Sequence, residues 1–64
     1  MEDATIILAI HAGYELVQYR PSGEVRIEHA ASRTCSAWLS HRDVAMLADN
    51  PHLMASWPCD EDMD

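Results

Sequence analysis

The tripeptide Pro21-Ser22-Gly23 places the strongest local constraint on this chain, because alternating sequence flanks it on both sides. Proline fixes φ at the first turn position, and glycine accepts the positive φ that closes a three-residue hairpin loop. Residues 14–20 and 24–29 are therefore predicted to form a β-hairpin. A loop of this length pairs Arg20 with Glu24 and fixes the register of the two strands.

That register gives the hairpin two faces of different character. On one face it pairs Tyr19 with Val25 and Val17 with Ile27, which makes that face mostly apolar. The other face is mostly polar and charged, and its members are Leu16, Gln18, Arg20, Glu24, Arg26 and Glu28. Alternation of this kind predicts one face over a core and one face in solvent.

Two further segments have strand character. Residues 4–10 are apolar at nearly every position, which is typical of a strand covered on both faces. Residues 34–39 are predicted to form a fourth strand, in which Trp38 points away from Cys35 and outward. A helix that begins at Ser32 is the alternative for this second segment.

The C-terminal part has helix signals. Ser40 can cap a helix, and the charge of Asp43 suits its N-terminal end. The predicted core stripe of this helix is Val44, Leu47 and Ala48. Asn50-Pro51 ends the helix and can begin a second short turn, which Pro58 stops. The predicted anchors of that turn are Leu53, Met54 and Trp57.

This order of elements predicts an α+β fold: a small antiparallel sheet of three or four strands with one or two short C-terminal helices on one face. The 64 residues form a single domain, 1–64, in which residues 60–64 are an acidic C-terminal tail. A chain of this size has a thin core and little room for an enclosed substrate pocket.

The apolar runs, the N-terminal residues and the two cysteines predict the location of the protein and the redox state of its thiols. The longest apolar run is too short to cross a bilayer, so no membrane partner is expected. Residues 1–3 are acidic, whereas a secretion signal begins with basic residues. The expected location is the cytoplasm. There Cys35 and Cys59 are expected to be free thiols, with a disulfide between them as the alternative.

The net charge of −7 comes from eleven acidic residues and four arginines, and six of the acids lie in the first three and last five residues. That sign disfavours direct binding to nucleic acid. It favours a basic protein surface as the partner. The candidate acidic contacts are Glu15, Glu24, Glu28, Asp43, Asp49, Asp60, Glu61 and Asp62. Solvated, solubilising ends are the alternative interpretation of the terminal acids.

No residue pattern indicates catalysis. The histidines and cysteines lack the paired spacing of zinc sites, so neither a metal nor another cofactor is predicted. Cys35 could meet His29 or His41, but the signatures of nucleophilic enzymes are missing. Glu24 and Glu28 are better explained as surface carboxylates than as an acid–base pair. The protein is therefore expected not to be an enzyme.

Short length, net acidity, α+β order and no catalytic signature make the chain similar in type to the small acidic anti-CRISPR proteins of bacteriophages. The resemblance implies inhibition by stoichiometric binding in the bacterial host cytoplasm. It implies acidic DNA mimicry against a type I CRISPR Cascade subunit. The alternative is a small hydrophobic interaction or regulatory module, a homodimer or a subunit, that binds through an exposed sheet edge or through Trp38 and the segment from Leu53 to Trp57. The chain itself is expected to be a monomer or a weak homodimer.

Overall fold

The structure, a computed structural model, describes residues 4–63. Five antiparallel strands lie in the order β1-β2-β3-β4-β5. Their bounds are β1 Ala4–His11, β2 Tyr14–Arg20, β3 Val25–His29, β4 Thr34–Cys35 and β5 Glu61–Asp62. Helix α1, His41–Asp49, and a 3-10 helix, Pro51–Ser56, connect β4 to β5. The predicted α+β class is confirmed, and the two-residue strands β4 and β5 extend the sheet beyond the three long strands.

The hairpin of β2 and β3 is present, but the predicted register is wrong by one residue. The N–H of Tyr19 donates to the carbonyl of Glu24 at 2.8 Å, and the N–H of Gly23 donates to the carbonyl of Tyr19 at 2.7 Å. The loop therefore has four residues, and Leu16 pairs with Ile27. β2 is apolar on both faces at Leu16 and Val17, so alternation alone did not determine which face meets the helices.

The core lies between one face of the sheet and the two helices. Leu16 and Ile27 from the sheet, Leu47 from α1 and Met54 from the 3-10 helix are all completely buried. Val25 completes this cluster. Burial of one such side chain contributes about 1.5–3 kcal/mol, so these few residues supply much of the fold's stability.

α1 begins where the sequence predicted. Ser40 is the N-cap, and its hydroxyl accepts the backbone N–H of Asp43 at 3.2 Å. Leu47 is buried and Val44 is half-buried, but the predicted core position Ala48 is exposed. Each helical residue advances about 100° around the axis, which carries Ala48 past the narrow stripe that meets the sheet.

The 3-10 helix confirms the second turn that was predicted after Asn50-Pro51. Of its three predicted anchors, Met54 is buried, and Leu53 and Trp57 are half-buried against the core.

Residues 34–39 form neither the full strand nor the alternative helix, because regular pairing of β4 ends at Cys35. The next residues still run beside β3. The N–H of Ser36 donates to Ile27 O at 2.9 Å, and that of Leu39 donates to Val25 O at 2.8 Å. The ladder becomes irregular because the N–H of Ile27 binds the Ser36 hydroxyl at 3.0 Å instead of a backbone carbonyl.

β1 contradicts the prediction of a strand covered on both faces. It is the first strand of the sheet, and only β2 pairs with it within residues 4–63. Seven of its eight residues pair with β2, and the register shifts at Leu8. The two short helices cover a single face of the sheet, so residues 4–63 supply no second layer to bury the other side of β1.

The acidic end differs from the expected tail, because Glu61 and Asp62 pair with β4 as β5. The acidic residues Glu2, Asp3 and Asp64 lie outside the described residues. In the part of the chain that the structure describes, no helix has the length and apolar character needed to cross a membrane.

Candidate protein-binding surfaces

A shallow groove of about 290 Å³ runs between the segment after β4 and the segment before β5. We call it the acidic tryptophan groove. Its lining residues are Ala37, Trp38, Leu39, Asp43, Trp57, Pro58, Asp60 and Glu61. Three acidic residues and two tryptophans thus line one concave surface, which combines negative charge with aromatic residues.

Each side of the groove is positioned by a different local constraint. Asp43 lies in the first turn of α1, where its own N–H binds the Ser40 cap. Trp57 follows the 3-10 helix, and its N–H donates to Met54 O at 3.2 Å. Pro58 then directs the chain back toward β4, and Glu61 pairs with Cys35. The groove therefore depends on the return of the C-terminal segment to the sheet.

Trp38 is held on one side and exposed on the other. Its ring meets the Tyr19 ring edge-on, with 5.6 Å between centroids and 87° between planes. The guanidinium of Arg26 lies 5.2 Å from the Trp38 centroid and 5.2 Å from the Tyr19 centroid. These contacts orient the indole while half of its surface, 50%, stays exposed. The outward direction predicted for Trp38 agrees with this exposure.

Arg26 and Tyr19 also bind Glu28, one of the carboxylates that were predicted to contact a partner. Arg26 Nε donates to Glu28 Oε2 at 2.9 Å, and the Tyr19 hydroxyl donates to the same oxygen. Burial and the hydrogen bond to Glu28 raise the pKa of Tyr19. Burial by itself lowers the pKa of Arg26, but its hydrogen bonds to Glu28 and Tyr19 raise it overall. Glu28 is thus engaged within the protein.

The remaining candidate acids are dispersed. Glu15 is half-buried and lies opposite Glu28 in the hairpin, on the face that the helices leave uncovered. Glu24 is exposed at the hairpin end, and Asp49 is exposed at the last position of α1. Asp62 lines a separate shallow depression with Ser32, Arg33 and Met63. The structure therefore gathers three of the eight predicted acids, Asp43, Asp60 and Glu61, into one groove.

A second surface is the outer side of β1, which we call the β1 edge. The sequence suggested a sheet edge as a contact, but it predicted that β1 would be covered on both faces. Among the described residues, four of the six large apolar side chains that are exposed belong to this strand. They are Ile6, Ile7, Leu8 and Ile10, with exposures of 37%, 45%, 40% and 64%. The shortness of the chain could have indicated that β1 is exposed, since two small helices cannot cover both faces of an outer strand.

The described residues hold no set of three or more metal-ligating side chains close enough to bind an ion. Cys35 is buried and Cys59 is half-buried, and both are free thiols. Burial raises the pKa of Cys59, and the neighbouring Cys35 and Asp60 raise it further.

No family model, no curated protein and no solved structure matches this chain. Its two candidate surfaces are therefore interpreted from their own chemistry.

Proposed function

We propose that this chain is a non-enzymatic inhibitory module that binds a basic, nucleic-acid-binding protein surface through the acidic tryptophan groove. The observation that supports it is that Asp43, Asp60 and Glu61 line one groove together with two tryptophan residues. By resemblance in type to small phage inhibitors, the proposed target is a type I CRISPR effector complex in the bacterial cytoplasm. The inhibitor would mimic the charge of the DNA that the complex normally binds.

An arginine side chain of the partner fits the chemistry of this groove. A guanidinium stacks on an indole face, as Arg26 does on Trp38, and half of the Trp38 surface stays exposed for a second guanidinium. Carboxylates beside the ring then accept its N–H groups in charge-assisted hydrogen bonds. Asp60 and Glu61 are both exposed and are free of the internal ion pair that engages Glu28. The groove would thus act as the anchor, and the net charge of −7 would guide the encounter.

The test compares two double variants with the same change in charge. Asp60→Asn/Glu61→Gln removes two groove carboxylates, and Glu24→Gln/Asp49→Asn removes two exposed carboxylates outside the groove. Binding to a purified type I CRISPR effector complex is measured by calorimetry, and inhibition is measured by displacement of target DNA. We expect the groove variant to lose at least tenfold in affinity, about 1.4 kcal/mol. The control variant should lose less than threefold.

Two outcomes would contradict the proposal. If both double variants weaken binding equally, the charge acts diffusely and the groove is not the anchor. If neither variant nor a rise in salt concentration weakens binding, electrostatic recognition is wrong. An arginine-rich peptide serves as a second probe, because it reports on the groove without depending on the identity of the complex.

The second candidate function is a hydrophobic interaction module, which the exposed side chains of the β1 edge favour. In that case acid-to-amide changes would leave partner binding intact, whereas lysine substitutions in β1 would abolish it.

A further inference from the structure

We propose that the β1 edge is a homodimer interface, in which β1 pairs antiparallel with β1 of a second copy. This inference does not rest on the proposed function. It follows from how the two outer strands of the sheet differ in length, charge and exposed apolar surface.

β1 is an open outer strand of a kind that proteins normally protect. An outer strand leaves a row of backbone N–H and C=O groups free to pair with another strand. Proteins block such pairing with lysine, proline, very short strands or covering loops. β1 has eight residues, a length of about 27 Å, and no charged residue or proline from Ala4 to Ile10. Its bulge at Leu8 does not remove the apolar side chains from the surface.

The opposite outer strand is protected in the expected way. β5 has only two residues, Glu61 and Asp62, and both are charged and exposed. Pairing of β1 with β5 of another copy would place apolar side chains against carboxylates and would also build an open chain of molecules. Pairing of β1 with β1 brings two uncharged strands together and closes after two copies.

The lack of charged residues on β1 suits a second copy as the occupant. Of the groove acids, Asp60 directly precedes β5 and Glu61 lies in it, four strand positions away from β1, while Asp43 lies in the first turn of α1. Two chains can therefore meet at their β1 edges with their groove acids far apart, although Glu2 and Asp3 precede β1 in each copy. A basic partner would find no carboxylate within β1 from Ala4 to Ile10, and Glu15, which pairs with Ile10, is half-buried.

The side chains of β1 suit a two-fold arrangement. Ile7 pairs with Val17 and Ile10 pairs with Glu15, so both lie on the uncovered face of the sheet. Ile6 pairs with Gln18, and Leu8 lines a depression with Val44 of α1, so these two lie on the helical face. Antiparallel pairing of two copies of β1 places the helical faces of the two sheets on one side and their uncovered faces on the other. It would therefore bury apolar side chains on both sides of a continuous sheet.

The dimer would carry one acidic tryptophan groove at each end. With strands about 4.8 Å apart, the grooves beside β4 and β5 would be separated by about 34–43 Å. A partner with repeated basic sites at that spacing would be bound through both grooves, which raises the apparent affinity.

The experiment is sedimentation equilibrium of the full chain over a range of concentrations. A single strand pair gives a small interface, so we expect a dissociation constant on the order of 1–100 µM. Ile7→Lys/Ile10→Lys should weaken dimerisation at least tenfold, because it places two charges on the pairing strand. Met46→Lys is the control for an added surface lysine, since Met46 is another exposed apolar residue, at 38%, but lies on α1. Circular dichroism confirms that each variant is folded.

Salt dependence separates this association from groove binding. Two acidic copies repel each other, so added salt should strengthen the dimer while it weakens the binding of a basic partner. A chain that stays monomeric to millimolar concentration would overturn the inference. A dimer that survives Ile7→Lys/Ile10→Lys, or that is lost equally in Met46→Lys, would also overturn it.

Discussion

The hydroxyl of Ser36 accepts the backbone N–H of Ile27 at 3.0 Å and donates to Ala37 O at 2.9 Å. Ser36 is only 3% exposed, so this one side chain substitutes for a ladder bond inside the fold. The bond joins β3 to the segment that carries Trp38. Stability and the shape of the acidic tryptophan groove therefore depend on the same small residue.

Ser36→Ala should destabilise the fold by about 1–3 kcal/mol, because it leaves the buried N–H of Ile27 without its acceptor. Urea unfolding monitored by circular dichroism measures the loss. Ser56→Ala removes a hydroxyl from an exposed position of the 3-10 helix, and its effect should stay within about 0.5 kcal/mol. Equal effects of the two changes would contradict the role given to Ser36.

Arg26→Ala should cost about 1–3 kcal/mol, because Glu28 would remain largely shielded without its charged partner. The side chains of the pair are only 23% and 17% exposed, so solvent screens the interaction weakly. Arg42→Ala is the control, since Arg42 is exposed in the first turn of α1. Chemical denaturation measures the free energy of unfolding of both variants. An unchanged free energy in Arg26→Ala would show that the pair is not stabilising.

Ser40→Ala should lower stability by about 1 kcal/mol through loss of the N-cap bond to Asp43. Ser40→Asp should retain most of the stability, because aspartate caps helices as well as serine does. Thermal unfolding distinguishes the two substitutions. If Ser40→Asp is as unstable as Ser40→Ala, the hydroxyl has some role other than capping.

Alkaline pH should destabilise the protein in two steps. The folded state raises the pKa of Cys59 and that of Tyr19 above their ordinary values, in both cases first through burial. Above those values the unfolded chain has lost protons that the folded chain still holds, so stability falls as pH rises. Full stability from these two groups is present below about pH 9.

Urea unfolding between about pH 7.5 and 10.5, under reducing conditions, measures this loss. Cys59→Ala should flatten the first part of the decline, and Tyr19→Phe should flatten the second. A Tyr19→Phe variant with an unchanged slope above about pH 10 would exclude Tyr19 as a source of the effect.

Local parts of the fold could be predicted because their causes are local. Pro21 and Gly23 specify a turn, and Ser40 with Asp43 specifies a helix start, whatever the rest of the chain does. The hairpin register could not be read in the same way. Leu16 and Val17 are both apolar, and the helices, which lie far away in sequence, determine which of them faces the core.

The candidate surfaces were predictable only in part. The sequence identified Trp38, Trp57 and the groove carboxylates as possible contacts, but Asp43 and Asp60 are far apart along the chain. They border one groove only because the segment after Trp57 returns to pair with β4. The exposure of the β1 edge was missed, because an uninterrupted apolar run has the same pattern in a central strand and in an outer strand that lacks a partner.

The sequence alone determined the net negative charge, the hairpin turn, the capped helix and its end at Asn50-Pro51, since each depends on neighbouring residues. The tertiary structure decided the register, the exposure of β1 and the joining of Trp38 with Asp60 and Glu61. Those features depend on which strands pair and on how much of the sheet two short helices can cover. Strand pairing and sheet coverage depend on the whole chain, so no single segment determines them.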